Sequence, residues 1–125
     1  MRAALLLVLA LALAACQTSA PATSGASSDE AHALYASLTE LVKSCWFGSG
    51  DATFAGYNYS PEVNAGVPRI LIVAKTDPGG RPVLVVEPLG RAAANVYGPL
   101  LQAPAGGRAK ADLDRWIKGG TGCAA

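Results

Sequence analysis

The sequence predicts an α+β fold: a small antiparallel meander of about four strands, packed by one N-terminal and one C-terminal helix. Three observations predict it. Apolar residues recur at helical spacing in two stretches, one early and one at the end of the chain. Between them lie short runs rich in Val, Ile, Leu and Tyr, of the length and composition of strands. The connections between those runs are short and carry Gly, Pro and Asp, which suits antiparallel neighbours.

Ser27-Ser28-Asp29-Glu30 has the spacing of a capping box, with Ser27 as N-cap. Leu34, Leu38, Leu41, Val42 and Cys45 follow at helical spacing, so a helix is expected from Asp29 to Ser44, ended by Gly48 and Gly50. Thr53 to Tyr59 alternates, with Ala55, Tyr57 and Tyr59 on one face, and reads as a strand. Arg69 to Lys75 contains ILIVA, a buried strand. Thr76 to Arg81 is a turn, and Pro82 to Glu87 returns as the hairpin partner. Leu89 to Ala94 has no clear assignment. Asn95 to Leu101 is expected as the fourth strand, ended by Pro104, Gly106 and Gly107. A closing helix from Ala109 to Lys118 places Leu113, Trp116 and Ile117 on one face, with Gly119 suited to C′. Residues 29–125 thus form one domain, without internal repeats.

The apolar fraction of 51% is inflated by residues 1–15 and is not a measure of the core. Lys and Arg number 10 against 9 Asp and Glu, and Arg2 lies in that leading stretch, so the rest of the chain is neutral in its side chains. That balance argues against a nucleic-acid binder or a polybasic membrane-surface protein, both of which need a positive field.

Residues 1–15, MRAALLLVLALALAA, set one positive charge before an unbroken apolar run. The run is too short to span a bilayer comfortably and has the order of a signal peptide. It ends in Leu13-Ala14-Ala15-Cys16. This motif resembles the lipobox of bacterial lipoproteins. The resemblance implies cleavage before Cys16, diacylation of its thiol with fatty acyl chains such as palmitate, and acylation of the new amino group. Two or three chains give durable anchoring where one holds weakly. By the same resemblance, Gln17 where an Asp would favour the inner membrane points to the outer membrane of the cell envelope, facing the periplasm. Residues 16–28, the lipidated Cys followed by QTSAPATSGASS, lack the apolar content to order themselves and read as a tether.

Cys45 and Cys123 remain in an exported chain, and a disulfide between them is the economical expectation. Two free redox thiols are the alternative, against which stands the absence of a Cys-x-x-Cys motif or a flanking positive cluster.

Catalytic signals are weak. The single His, His32, lies in the first turn of the first helix, where a solvated surface role is the simpler reading. With no second His and no cysteine cluster, no metal site is expected, and no cofactor motif occurs. Asp112 and Asp114 read as helix-start carboxylates placed by the dipole. Tyr57, Tyr59, Arg69 and Tyr97 are the candidate binding surface, although the first two equally suit the core. The expected function is a non-enzymatic binding or structural accessory, anchored by lipid, whose partner is an envelope protein or peptidoglycan. Two further expectations are an inhibitor of a lysozyme-like hydrolase, by analogy of size and location, and a small hydrolase using Glu62 and Glu87.

Overall fold

The computed structural model describes residues 24–64 and 66–124. The expected signal peptide, Cys16 and the first part of the expected tether lie outside the described residues. The chain runs through helix α1 (Ser24–Leu41), a π-helical turn (Val42–Phe47), a 3-10 turn (Ala52–Phe54), strands β1 (Tyr57–Glu62), β2 (Arg69–Ala74), β3 (Leu84–Gly90) and β4 (Ala93–Tyr97), a second 3-10 turn (Pro99–Gln102) and helix α2 (Gly106–Ile117). The strands form one antiparallel sheet in the order β1-β2-β3-β4, a meander with both helices on one face. The α+β architecture read from the sequence is the one observed.

Register fixes which side chains meet the helices. Ile70 pairs with Val86 and Ile72 with Leu84, and all four are fully buried. Opposite them, α1 and its π-helical extension contribute Leu34, Tyr35, Leu38, Val42, Cys45 and Trp46, while α2 contributes Ala109, Leu113 and Trp116. Phe54 stacks on Trp46 with ring centroids 4.3 Å apart, and Trp116 lies 5.5 Å from Trp46. These three aromatics are the largest fully buried side chains among the described residues.

The disulfide forms between Cys45 and Cys123, with Cα atoms 5.1 Å apart. The tail after α2 is guided to it. Gly119, at φ +94°, and Gly120 close α2 with the paired hydrogen bonds of a Schellman cap, to Trp116 O (3.0 Å) and Arg115 O (2.9 Å). The Arg115 guanidinium then donates to the carbonyls of Thr121 and Gly122, and the Trp116 indole N–H donates to Gly122 O.

Several boundaries differ from the sequence expectation, each for a local reason. Helix α1 already includes residues 24–28, so the last part of the expected tether is helical and Ser27 stands inside the helix, not at its cap. The strand expected from Thr53 begins at Tyr57 instead. Asp51 accepts the Thr53 N–H at 2.9 Å and caps a 3-10 turn that turns Phe54 into the core. Strand β1 then extends to Glu62 through Pro61, which an edge strand tolerates. The unassigned stretch 89–94 is the end of β3, a turn and the start of β4. Strand β4 stops at Tyr97 because Gly98, at φ +140°, and Pro99 turn the chain into a 3-10 turn. Helix α2 begins at Gly106, three residues before the expected start.

Candidate binding face

The face of the sheet turned away from the helices carries Asn58, Ser60 and Glu62 of β1, Arg69, Leu71 and Val73 of β2, Val85 and Glu87 of β3, and Asn95 and Tyr97 of β4. No element covers it among the described residues. One row across it reads Ser60, Leu71, Val85, Tyr97, so a short apolar band ends in an aromatic ring. Tyr97 is 48% exposed, whereas Val85, flanked across the strands by Leu71 and Tyr97, is 9% exposed.

Polar groups beside this band are fixed. The Tyr97 hydroxyl donates to Glu87 Oε1 at 2.9 Å, and this bond raises the hydroxyl pKa above its ordinary value. Arg69 donates from Nε and Nη2 to Glu62 Oε2, at 3.1 and 2.7 Å, across the β1–β2 pair. The arrangement offers a ring to stack on, an apolar strip and oriented carboxylate and guanidinium groups, which suits a flat partner such as a glycan or a protein edge.

The four residues singled out from the sequence do not share this face. Arg69 and Tyr97 lie on it. Tyr57 and Tyr59 pair with Ala74 and Ile72 on the helix-covered side, where both pack against the core. Tyr59 packs in a tilted arrangement against Phe47, at 5.1 Å between centroids. A sheet this small needs its large rings inside, and the alternation of β1 puts them there.

Glu62 and Glu87 share the outer face but belong to strands separated by β2, and each carboxylate is held by its own partner. His32 is exposed on α1, its Nδ1 2.8 Å from Ser28 O. Among the described residues no group of three or more His, Cys, Asp or Glu side chains is placed to hold a metal ion. Among the same residues no helix is long and apolar enough to cross a membrane.

The polar centre that sequence reasoning missed is Asp112. Helix α2 starts at Gly106, so Asp112 is in mid-helix, 1% exposed, and the helix dipole does not explain it. Its Oδ2 accepts the Trp46 indole N–H at 2.9 Å and the Arg108 Nε–H at 2.8 Å, and its Oδ1 accepts Arg115 Nη2–H at 2.9 Å. Burial pushes the carboxyl pKa up, but the hydrogen bonds from Trp46, Arg108 and Arg115 outweigh it and hold the group below its ordinary value. Arg108 also bridges to Asp51 at 3.1 Å. This network joins α2 to the end of the first helix and, through Arg108, to Asp51. A signal was present in the sequence: Arg108 and Arg115 stand four before and three after Asp112, on its side of a helix.

Comparisons with protein-family models, with curated proteins and with solved structures returned no match.

Proposed function

We propose that the protein is a lipid-anchored lipoprotein of the bacterial cell envelope, held on the outer membrane and facing the periplasm. Its domain binds an envelope protein or peptidoglycan and performs no catalysis. The observation that carries this reading is the apolar run of residues 1–15 closed by Leu13-Ala14-Ala15-Cys16. The Cys45–Cys123 disulfide supports it, since such bonds persist in oxidising compartments. The non-catalytic part rests on how the chemically capable side chains are used. Asp112 sits in a structural network, and Glu62 and Glu87 are each engaged on an open sheet surface. The partner meets the outer face at Arg69 and Tyr97.

Intact mass of the protein purified from its native membrane, with and without reduction, tests the anchor. The expected mass is that of Cys16–Ala125 plus acyl chains, rising by two hydrogens on reduction. An unacylated full-length mass would end the reading. Capture from envelope extract then tests the binding role. A partner recovered by the native chain and lost with Arg69→Ala and Tyr97→Ala together supports it, whereas equal recovery by that variant removes the outer face from the proposal.

A further inference from the structure

The two ends of the sheet differ in polarity, and the difference follows the tether. The β1–β2 loop (63–68) and the β3–β4 turn with its flanking strand ends (89–94) lie at one end, and the β2–β3 connection, with residues 75–81 at its tip, lies at the other. The far connection, KTDPGGR, carries Lys75, Asp77 and Arg81. The near pair, VNAGVP and LGRAAA, carries Arg91 as its one charge. Among the described residues the exposed large apolar side chains are Val63 (52%), Val67 (46%), Leu89 (49%) and Tyr97, and the first three are all at the near end.

The N-terminus of α1 is at the same end. A shallow groove of about 250 Å³ is lined by Ser28, Ala31 and His32 of α1 together with Val67, Pro68 and Leu89. Arg91 beside them pairs with Glu30 of α1 at 2.8 Å and is 83% exposed. Helix α1 begins at Ser24, eight residues after Cys16. Eight residues reach no farther than about 28 Å in any conformation. If Cys16 carries lipid, this end of the domain is the one kept at the bilayer.

We propose that Val63, Val67 and Leu89 form a lipid-docking edge that inserts into the bilayer interface and sets the orientation of the domain. The inference rests on the acylation of Cys16 proposed above. Exposed apolar residues at one end of a sheet are costly in water and find an apolar phase at the acyl boundary. Arg91 is placed to turn its guanidinium to headgroup phosphates while its stem stays with the apolar rim. The neutral balance of the domain matches contact made by apolar insertion and not by a basic patch. Docked this way, the strands stand away from the membrane and the outer sheet face stays open to a partner.

The test uses the acylated full chain in vesicles containing a trace of lipid with a paramagnetic headgroup, read by amide NMR. Strand β2 separates the two ends by roughly 17 Å, enough for the label to distinguish them. The expected result is loss of signal at Val67, Leu89 and Arg91, with Lys75, Asp77 and Gly80 retained. Val67→Ser with Leu89→Ser, at exposed positions outside the core, should abolish that contrast while the protein still sediments with vesicles. Acylated, sedimenting protein with equal broadening at both ends overturns the docking and leaves the anchor standing. So does an unbroadened near end with a doubled particle mass, which would show a second copy covering it. A native mass without acyl chains overturns the anchor and the docking with it.

Discussion

Replacing Asp112 with alanine removes the acceptor for three donors at once. The Trp46 N–H is buried and has no alternative partner, so it is left unpaired at a cost of about 1–3 kcal/mol. Arg108 and Arg115 lose charge-assisted bonds, but their side chains are 28% and 37% exposed and can turn to water, so their loss is well below that of a sealed pair. The total expected is about 3–4 kcal/mol, a large share of the stability of so small a domain. Asp112→Asn keeps one oxygen for Trp46 and Arg108, sets an amide against Arg115, and should cost roughly half as much. Urea unfolding at pH 7 with the disulfide intact measures both, the midpoint moving while the slope stays constant.

The pH dependence gives an independent check. The folded-state pKa of Asp112 lies below its unfolded value near 3.8, so the ionised group contributes stability that is complete above that value. That contribution is lost as pH falls through the lower, folded value. The native chain should therefore lose stability on acidification below about pH 4, and the Asp112→Asn variant should lose less over the same interval. A cost under about 1 kcal/mol for Asp112→Ala, or an unchanged acid limb in Asp112→Asn, would refute the structural role assigned to this carboxylate.

Other consequences are as direct. Cys45→Ser with Cys123→Ser opens a loop of 78 residues, worth up to about 4.5 kcal/mol on the chain-entropy account, and should lower the unfolding free energy measured in urea by at least half of that. Tyr35→Phe should be neutral or stabilising by up to about 1 kcal/mol, because the Tyr35 hydroxyl is buried without a hydrogen-bond partner; thermal unfolding would show it. Gly98→Ala should cost about 2–3 kcal/mol, since the backbone is at φ +140° and a Cβ there meets Val83 O at 2.3 Å; a melting temperature within a degree of the native one would contradict this.

The central hairpin of the meander was legible because its two strands announced themselves by composition and their connection by turn residues. ILIVA and VLVV are β-branched runs that few other structures accommodate, and TDPGGR between them leaves little choice but a hairpin. The misplaced first strand shows the limit. Alternation over 53–59 looked like a strand, but a capped turn at Asp51 and the stacking of Phe54 on Trp46 decide that segment, and stacking is tertiary. Tyr57 and Tyr59 could not be assigned a side because a period of two fixes only that they share one; the register with β2 chooses which. Asp112 was misread for a different reason. Placing the helix start at Ala109 moved a mid-helix residue into the first turn, where a carboxylate needs no further explanation.

Cys45 and Trp46 are adjacent, and each fastens the same end of the first helix to the C-terminal segment. One does so through the disulfide to Cys123, the other through Asp112 and the Trp116 ring. Toward the opposite end of α1 no such fastening is found among the described residues: Ser28, Asp29, His32 and Ala33 are exposed, and the ion pair of Glu30 to Arg91 is solvated and weak. Stability should therefore grade along one helix. Native-state hydrogen exchange should give opening free energies near the global value for amides 42–46 and lower by roughly 1–3 kcal/mol for amides 29–33. Reduction of the disulfide should bring the first group down and leave the second unchanged, since the weaker end already opens without it. Uniform protection along the helix would mean that the sheet contacts, and not these two fastenings, govern its opening. A graded helix places the easily opened turns at the end proposed to meet lipid, so bilayer contact there would raise protection at 29–33 without touching 42–46.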